Sequence, residues 1–414
     1  MGTLLRRYWL PALSSAELEP DGRPVRVRLL GEQLVAFRDT EGRVGVLDEH
    51  CPHRQVSLYF GRNEQSGLRC VYHGWKFDVQ GRCVDLPSEP PGSAMRDRVR
   101  ARAWPCAERG GVVWVFLGEG EPPALPEFEW AQLPAGQRYT SRRLLECNWA
   151  QALEGDIDSS HASFLHSRLD PADYTGLGGA AEMLRFHGDR HPRYEVLEAA
   201  HGLVMAARRS VPPDRHHWRA AQFLLPFVVL IAPFDDDLPH CNMWVPMDDT
   251  TTMAWAINWH PSRPLTGQER AHRDTNDFFH CTRFEPPTGE AGGAWRPAVN
   301  RRNGYGLDLE RQRTHSFLGI RQLWCQDKAV QESMGSVVDR TREHLAPSDL
   351  AIVHWRRRML ALAQAAGDAD LPGLDPRTHH VRPVSLVLPA GADWRAELFA
   401  ATRGVQTEGI ATDA

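Results

Sequence analysis

Two periodicities divide the chain. From Val25 onward, apolar and polar residues alternate, in Val25-Arg26-Val27-Arg28-Leu29-Leu30 and again in Val44-Gly45-Val46-Leu47. Alternation at period two gives a strand one dry face and one wet face. Turn signals follow at short intervals: Glu41-Gly42, Gly61-Arg62-Asn63 and Gln80-Gly81. Phe77-Asp78-Val79 before Gly81 reads as one arm of a hairpin. Val112-Val113-Trp114-Val115-Phe116-Leu117 is apolar throughout, as a strand buried on both faces would be. The pattern predicts a small antiparallel β domain over residues 25–118. The Gly- and Pro-rich run Gly118 to Pro123 is its linker. Residues 1–24 are a lead-in with an apolar anchor, Tyr8-Trp9-Leu10-Pro11.

Beyond the linker the period changes. Asn148 to His166 has helical spacing, and strand patterns return at Tyr194–Leu197, Leu203–Ala206, Phe223–Ile231 and Met253–Trp259. Residues 284–304, rich in Gly, Pro and Arg, predict a long loop. Helical patterns over Val330–Leu345 and Leu350–Ala365 close the chain. Strands and helices fall in separate runs rather than βαβ units, so the class is α+β. Residues 1–24 and 119–414 are assigned to this second domain.

Composition removes several possibilities. The 414 residues are 42% hydrophobic and 24% charged, ample for two or three packed domains. Net charge is −5 and no basic block stands out, which argues against nucleic acid as a partner. No apolar run is long enough to span a bilayer, and the start has no sustained apolar core of a secretory signal. The eight cysteines then suggest thiols in a reducing cytoplasm rather than a disulfide framework.

Two of those cysteines sit in a patterned stretch. Cys51-Pro52-His53-Arg54 is followed, after fifteen residues, by Cys70-Val71-Tyr72-His73-Gly74-Trp75. Each loop offers one thiolate and one imidazole. A structural zinc usually takes two Cys from one knuckle and two His from another. One of each per loop suits a Rieske [2Fe–2S] cluster, in which two Cys hold one iron and two His the other. Zinc remains the alternative.

A second constellation lies in the helical segment. Asn148, Gln151, Glu154, Asp158 and His161 recur every three or four residues and would share one helix face. His161 and His166 are five apart, about 140° around an ideal helix. They can chelate one metal only if the helix widens or ends between them, and a break near Ser163 is expected. Two His and one carboxylate form the facial triad of non-haem Fe(II) oxygenases. The carboxylate could be Glu154, Asp156, Asp158 or a distant residue. A one-electron cluster in the same chain supports O2 activation, which needs electrons delivered singly.

These motifs together resemble the Rieske non-haem iron aromatic-ring oxygenases, α subunit. They are C-P-H-R, C-x-x-H-G-W and N-W-x-Q-x-x-E-G-x-x-D-x-x-H-x-x-x-x-H. Gln222-Phe223-Leu224-Leu225-Pro226-Phe227 and Gln326-Asp327-Lys328-Ala329-Val330-Gln331-Glu332-Ser333 place the resemblance nearest the phthalate dioxygenase group. It implies a helix-grip (START-like) catalytic domain. It implies cluster ligands Cys51, His53, Cys70 and His73, and mononuclear iron ligands His161, His166 and Asp327. Asp158 is then an electron-transfer bridge between subunits of a trimer or stacked trimers. Electrons come from NADH through a separate flavin and iron–sulfur reductase. This chain itself has no Gly-rich dinucleotide fingerprint, since Gly118-x-Gly120 runs into Glu-Pro-Pro.

The implied activity is O2-dependent hydroxylation of an aromatic substrate, with O-demethylation of a methoxylated acid as alternative. A Rieske electron carrier without catalysis is more remote. Substrates in this group are often carboxylates, which call for arginine. Arg190 is the preferred candidate among Arg190, Arg193, Arg208, Arg209 and Arg219. Phe223 and Phe227, with Leu225, Val229, Ile257 and Trp259, are the expected pocket walls.

Overall fold

The computed structural model describes residues 1–174, 180–234, 238–275, 280–365 and 370–402. The expected alternation at Val25 forms the strand Val25–Leu29, which pairs with Glu32–Arg38, itself paired with Val44–Asp48. A four-stranded sheet of very short strands follows: Arg62–Asn63, Leu68–Arg69, Lys76–Phe77 and Cys83–Asp85. Val112–Phe116 is fully buried, as its unbroken apolar run requires, and lies between Cys106–Arg109 and Trp9–Ser14. The lead-in is therefore shared. Its strand Trp9–Ser14 pairs with Val112–Phe116 of the 25–118 segment, and Ala12 O also accepts from Arg142 Nη1 of the second domain at 3.3 Å. The turns on either side of that strand also reach the C-terminal half, through Tyr8 Oη donating to Pro372 O at 2.8 Å and Glu17 pairing with Arg142.

The second half is organised on one antiparallel sheet. Its order is Arg138–Leu145, Thr252–Trp259, His240–Pro246, Val228–Ile231, Arg215–Leu224, Gly202–Val211 and Arg193–Ala199. Val384–Pro389 pairs with the outer end of Arg215–Leu224. The pattern Phe223–Ile231 is thus two strands, not one. Leu225-Pro226-Phe227 turns the chain back, so Phe223 faces Val229 across the hairpin. The helix Trp149–Ile157 packs on Val228–Ile231 and His240–Pro246. Two helices, Leu323–Ser333 and Leu350–Ala365, pack against it in turn. The first of these begins earlier and ends sooner than the expected 330–345, whereas Leu350–Ala365 has the expected limits. A mixed layer of helices on a single antiparallel sheet is the α+β architecture anticipated.

The helices Trp149–Ile157 and Leu323–Ser333 are sewn side by side. Gln151 Nε2 donates to Gln331 O at 2.9 Å, and Gln331 Nε2 donates to Ala152 O at 3.0 Å. Gly155 permits the approach: a Cβ there would lie 2.8 Å from Gln331 Nε2.

Candidate active site

The two cluster loops repeat one backbone path. Cys51 N–H donates to Val56 O (2.9 Å), and Cys51 O accepts from Gln55 N–H (2.9 Å). Cys70 N–H donates to Trp75 O (2.8 Å), and Cys70 O accepts from Gly74 N–H (3.0 Å). The fourth residue after each cysteine has positive φ, 59° at Gln55 and 77° at Gly74. Gly74 has a further reason to be glycine, because a Cβ would meet Pro87 Cγ at 2.6 Å.

These loops bring two buried thiols into hydrogen-bond contact and two imidazoles face to edge. The bond to Cys70 and burial push the Cys51 thiol up, while the bond from Cys51 brings Cys70 down to about 6. The His53 and His73 ring centroids lie 4.4 Å apart, and His53 stacks on Trp75 at 4.2 Å. His73 Nδ1 is buried with no hydrogen-bond partner, an expensive state for a polar atom unless it binds a metal. Among the described residues, only one group brings three ligand atoms within 4.8 Å of one another, and it is not this one. A single zinc, with bonds of about 2.0–2.3 Å, would draw all four inside that limit. A sulfur pair set apart from a nitrogen pair fits two irons instead.

The group that does converge is His161, His166 and Asp327. The helix stops before reaching it. Trp149–Ile157 is α-helical, Asp158 caps it in extended conformation, and His161–Ser163 is a separate 3-10 turn. The α-helix therefore ends before His161, the 3-10 turn then ends at Ser163, where a break is expected, and the single polar face expected over 148–161 does not form. Arg209, from Gly202–Val211, pins the irregular segment. It donates to Ser159 O at 2.7 Å and to Ser159 Oγ at 3.0 Å, and its guanidinium lies 4.3 Å from the Phe186 ring. Burial lowers Arg209 to about 10.

Freed from the helix, His161 and His166 turn together, with their Nε2 atoms 3.1 Å apart. Asp327 Oδ1 lies 3.6 Å from His161 Nε2 and 3.4 Å from His166 Nε2. His166 Nδ1–H donates to Gln326 Oε1 at 2.7 Å, and Gln326 Nε2 donates onward to Ile320 O at 2.7 Å. The Gln326 amide thus fixes the tautomer that leaves a lone pair on His166 Nε2. Burial alone would raise the Asp327 carboxyl. His166, His161 and Arg143 outweigh burial and hold it below its ordinary value. An ionised carboxylate and two imidazole nitrogens on one side of a point fit a divalent iron with open positions.

The nearer carboxylates are engaged elsewhere. Glu154 is held by Arg356 Nε (2.7 Å) and Arg340 Nη1 (3.0 Å). Asp156 accepts from Trp244 Nε1 (2.6 Å) and Asn242 Nδ2 (3.0 Å). Burial raises Asp156 to about 7 against those two bonds, with the Asp327 charge adding to the rise. Asp158 Oδ1 accepts from Ser160 N–H (2.7 Å) and Tyr194 Oη (3.2 Å), and its Oδ2 lies 3.7 Å from His161 Nδ1.

A cavity of about 90 Å³ adjoins the triad, with Phe186, Tyr194, Trp244 and Trp324 among its aromatic walls. Arg143 and Arg219 also line it. The expected pocket residues do not. Phe223 shares a sheet face with Arg219 and Ala221 but lies past the cavity, edge-on to Trp355 at 6.1 Å. Phe227 is buried in the turn that splits the predicted strand. Arg190 donates to His187 Nδ1 at 3.1 Å and packs 5.5 Å from the Phe164 ring, outside the lining. Sequence reading missed the roles of Gln326, Tyr194, Arg209 and Trp244. Only Gln326, beside Asp327, carried a positional clue.

Similarity to known proteins agrees with this arrangement. Residues 8–105 match the Rieske [2Fe-2S] domain family and residues 115–414 the LigXa C-terminal domain like family. The chain is 40% identical over 411 residues to the 3-chlorobenzoate-3,4-dioxygenase oxygenase subunit of Comamonas testosteroni, covering 95% of this chain and 93% of that one. It is 39% identical over 416 residues to the phthalate 4,5-dioxygenase oxygenase subunit of Pseudomonas putida, covering 95% and 90%. The dicamba monooxygenase structure with bound dicamba shares the fold, with TM-score 0.61 and 19% identity over 88% of this chain and 99% of that one. The chain carries a Rieske [2Fe–2S] cluster and a mononuclear non-haem iron, and the two donor groups described above fit them. The chain belongs to the Rieske aromatic-ring-hydroxylating oxygenases, as an oxygenase (α) subunit of the phthalate dioxygenase-like group.

Proposed function

We propose that this oxygenase component acts on an aromatic carboxylate bound in the cavity beside His161, His166 and Asp327. The observation that carries the reading is the convergence of those three ligands on the wall of an aromatic-lined cavity. Cys51, His53, Cys70 and His73 hold the cluster, which supplies single electrons; the mononuclear iron supplies O2 binding and activation. The chain's own residues do the rest. Gln326 orients His166, and Asp327 provides the anionic ligand. Phe186, Trp244 and Trp324 exclude water, and Arg143 and Arg219, the latter paired with Glu182, are the guanidinium groups on the lining that a substrate carboxylate would meet.

Asp158 is the electron bridge in this reading. None of its hydrogen-bond or ion-pair partners comes from residues 51–75 of the same chain. Val71 and Tyr72, beside His73, are exposed. A homotrimer, or stacked trimers, would bring Asp158 against the partner subunit's His73. A flavin and iron–sulfur reductase delivers the electrons of NADH. A cytoplasmic setting accords with eight cysteines that form no disulfide and with the lack, among the described residues, of a helix able to cross a membrane.

In ring dihydroxylation one O2, two electrons and two protons give a diol, both oxygens entering the product. In O-demethylation one oxygen becomes water and the methyl carbon leaves as formaldehyde. Labelled O2 with phthalate, 3-chlorobenzoate and a methoxybenzoate separates them. Two labelled atoms in the aromatic product support dioxygenation, whereas an unlabelled phenol released together with formaldehyde, which carries off the one oxygen not lost to water, supports demethylation. Failure to form either a labelled diol or formaldehyde from any of the three acids would sink the proposal.

A further inference from the structure

Tyr194 belongs to two structures at once. On Arg193–Ala199 it stands opposite Ala207, and both residues line the cavity. Its hydroxyl lies 2.9 Å from Ser160 Oγ and donates to Asp158 Oδ1 at 3.2 Å. Among the described residues, Tyr194 is the one member of the strands Arg193–Ala199 and Gly202–Val211 that hydrogen bonds to Asp158. Asp158 is thereby held by one oxygen, leaving the other aimed at His161.

That second contact is incomplete. Asp158 Oδ2 is 3.7 Å from His161 Nδ1, about 0.8 Å longer than an ordinary N–H···O bond. His161 Nδ1 is buried and makes no hydrogen bond. The oxygen tied to Tyr194 and Ser160 therefore decides where the free oxygen sits. A 3.2 Å bond to a tyrosine whose neighbours form a cavity wall is the adjustable member of the set. The Ser160 N–H bond, at 2.7 Å between residues two apart, is fixed by the backbone.

We infer that Tyr194 is a positioning residue that couples occupancy of the cavity to the Asp158–His161 contact. A ring seated against Tyr194 shifts its hydroxyl and swings Asp158 Oδ2 toward His161 Nδ1. The inference rests on the bridging role given to Asp158 above.

The test follows reoxidation of the chemically reduced cluster by O2, through its visible absorption, in intact assembled protein. The aromatic acid is whichever of benzoate, 3-chlorobenzoate or phthalate drives the native protein fastest. Y194F removes one hydroxyl and keeps the ring. Iron content and the resting cluster spectrum stay at native values, and the acid-stimulated rate falls about tenfold to a hundredfold, the loss of one hydrogen bond to a charged group. D158N is slow, and adding Y194F to it slows it no further, because the tyrosine acts through the carboxylate. A native rate in Y194F while D158N is slow overturns the role of Tyr194. Native rates in both overturn the bridge itself. Additive losses in the double variant mean that Tyr194 acts on the cavity alone, which also overturns the inference.

Discussion

In our reading the cluster loops and the iron triad solve the same problem, holding metal on Cys, His or Asp side chains, by different means. Cys51, His53, Cys70 and His73 come from two neighbouring turns whose backbones copy each other hydrogen bond for hydrogen bond. Each turn is complete in itself, so the ligand spacing is written in adjacent residues. The triad is assembled from two parts of the chain. His161 and His166 stand on an irregular segment that Arg209 holds from a strand, and Asp327 comes from a helix far downstream. A local site is rigid and legible. A site joined across the fold depends on every contact that sets the two parts against each other, here Gln151 with Gln331 and Gln326 with His166.

The largest effect should separate the two regions completely. H161A or D327A removes a ligand from a three-ligand site, so the mononuclear iron is lost and oxygenation with it. The cluster loops share no residue with that site, and the visible spectrum of the cluster should persist. Loss of both metals in either variant would show that the regions do not hold their metals independently.

A smaller effect addresses how the assembled site is held. Q326L deletes the acceptor of His166 Nδ1–H without touching a ligand. Iron affinity should fall about tenfold to a hundredfold, as for other partners of metal-bound histidines. Q326E, which keeps an acceptor in place, should recover most of it. Titration of the apo mononuclear site with Fe(II), under anaerobic conditions, measures both.

Acid should weaken the catalytic half by a route of its own. Burial lowers His201 and His379 to about 4 and His217 and His240 to about 3. These imidazoles stay neutral in the fold while the unfolded chain protonates near 6.5. Their contribution is fully present above about 6.5 and is lost progressively as pH falls toward 4. Each can contribute a slope of about 1.4 kcal/mol per pH unit in that window. Asp156, raised to about 7, acts in the opposite sense over part of the range. Four histidines outweigh one carboxylate, so denaturant midpoints should fall from pH 7 to pH 5. A flat profile would contradict the sum.

The smallest effects test the matched cluster turns. G74A forces a side chain into a left-handed backbone and against Pro87, and should cost about 1–3 kcal/mol. Q55G at the equivalent position relieves a φ of 59° and should be neutral or stabilising by up to about 1 kcal/mol. Equal and opposite changes of thermal midpoint are not expected, because only Gly74 also meets a neighbour.

The same contrast explains what could be read from the sequence. Strands at Val25–Leu29 and Val112–Phe116 announce themselves because each has a one-sided or fully apolar pattern. The pattern Phe223–Ile231 did not reveal its turn, since Leu225-Pro226-Phe227 is as apolar as the strands beside it. Helical spacing over 148–166 was true only to Ile157, because Arg209 and Tyr194 hold the next residues from strands that local periodicity cannot see. The resemblance supplied Asp327, which no spacing near His161 could give. The cavity walls were the least legible. Phe223 has the right face of the right strand, and only the packing of Trp355 places it beyond the cavity.

The central claim is that one polypeptide holds two separate iron sites. Anaerobically purified, fully loaded protein should contain about three irons and two acid-labile sulfides per chain, with H161A falling to about two irons and keeping both sulfides. Two irons in the native chain, or zinc in place of iron and sulfide, would contradict it.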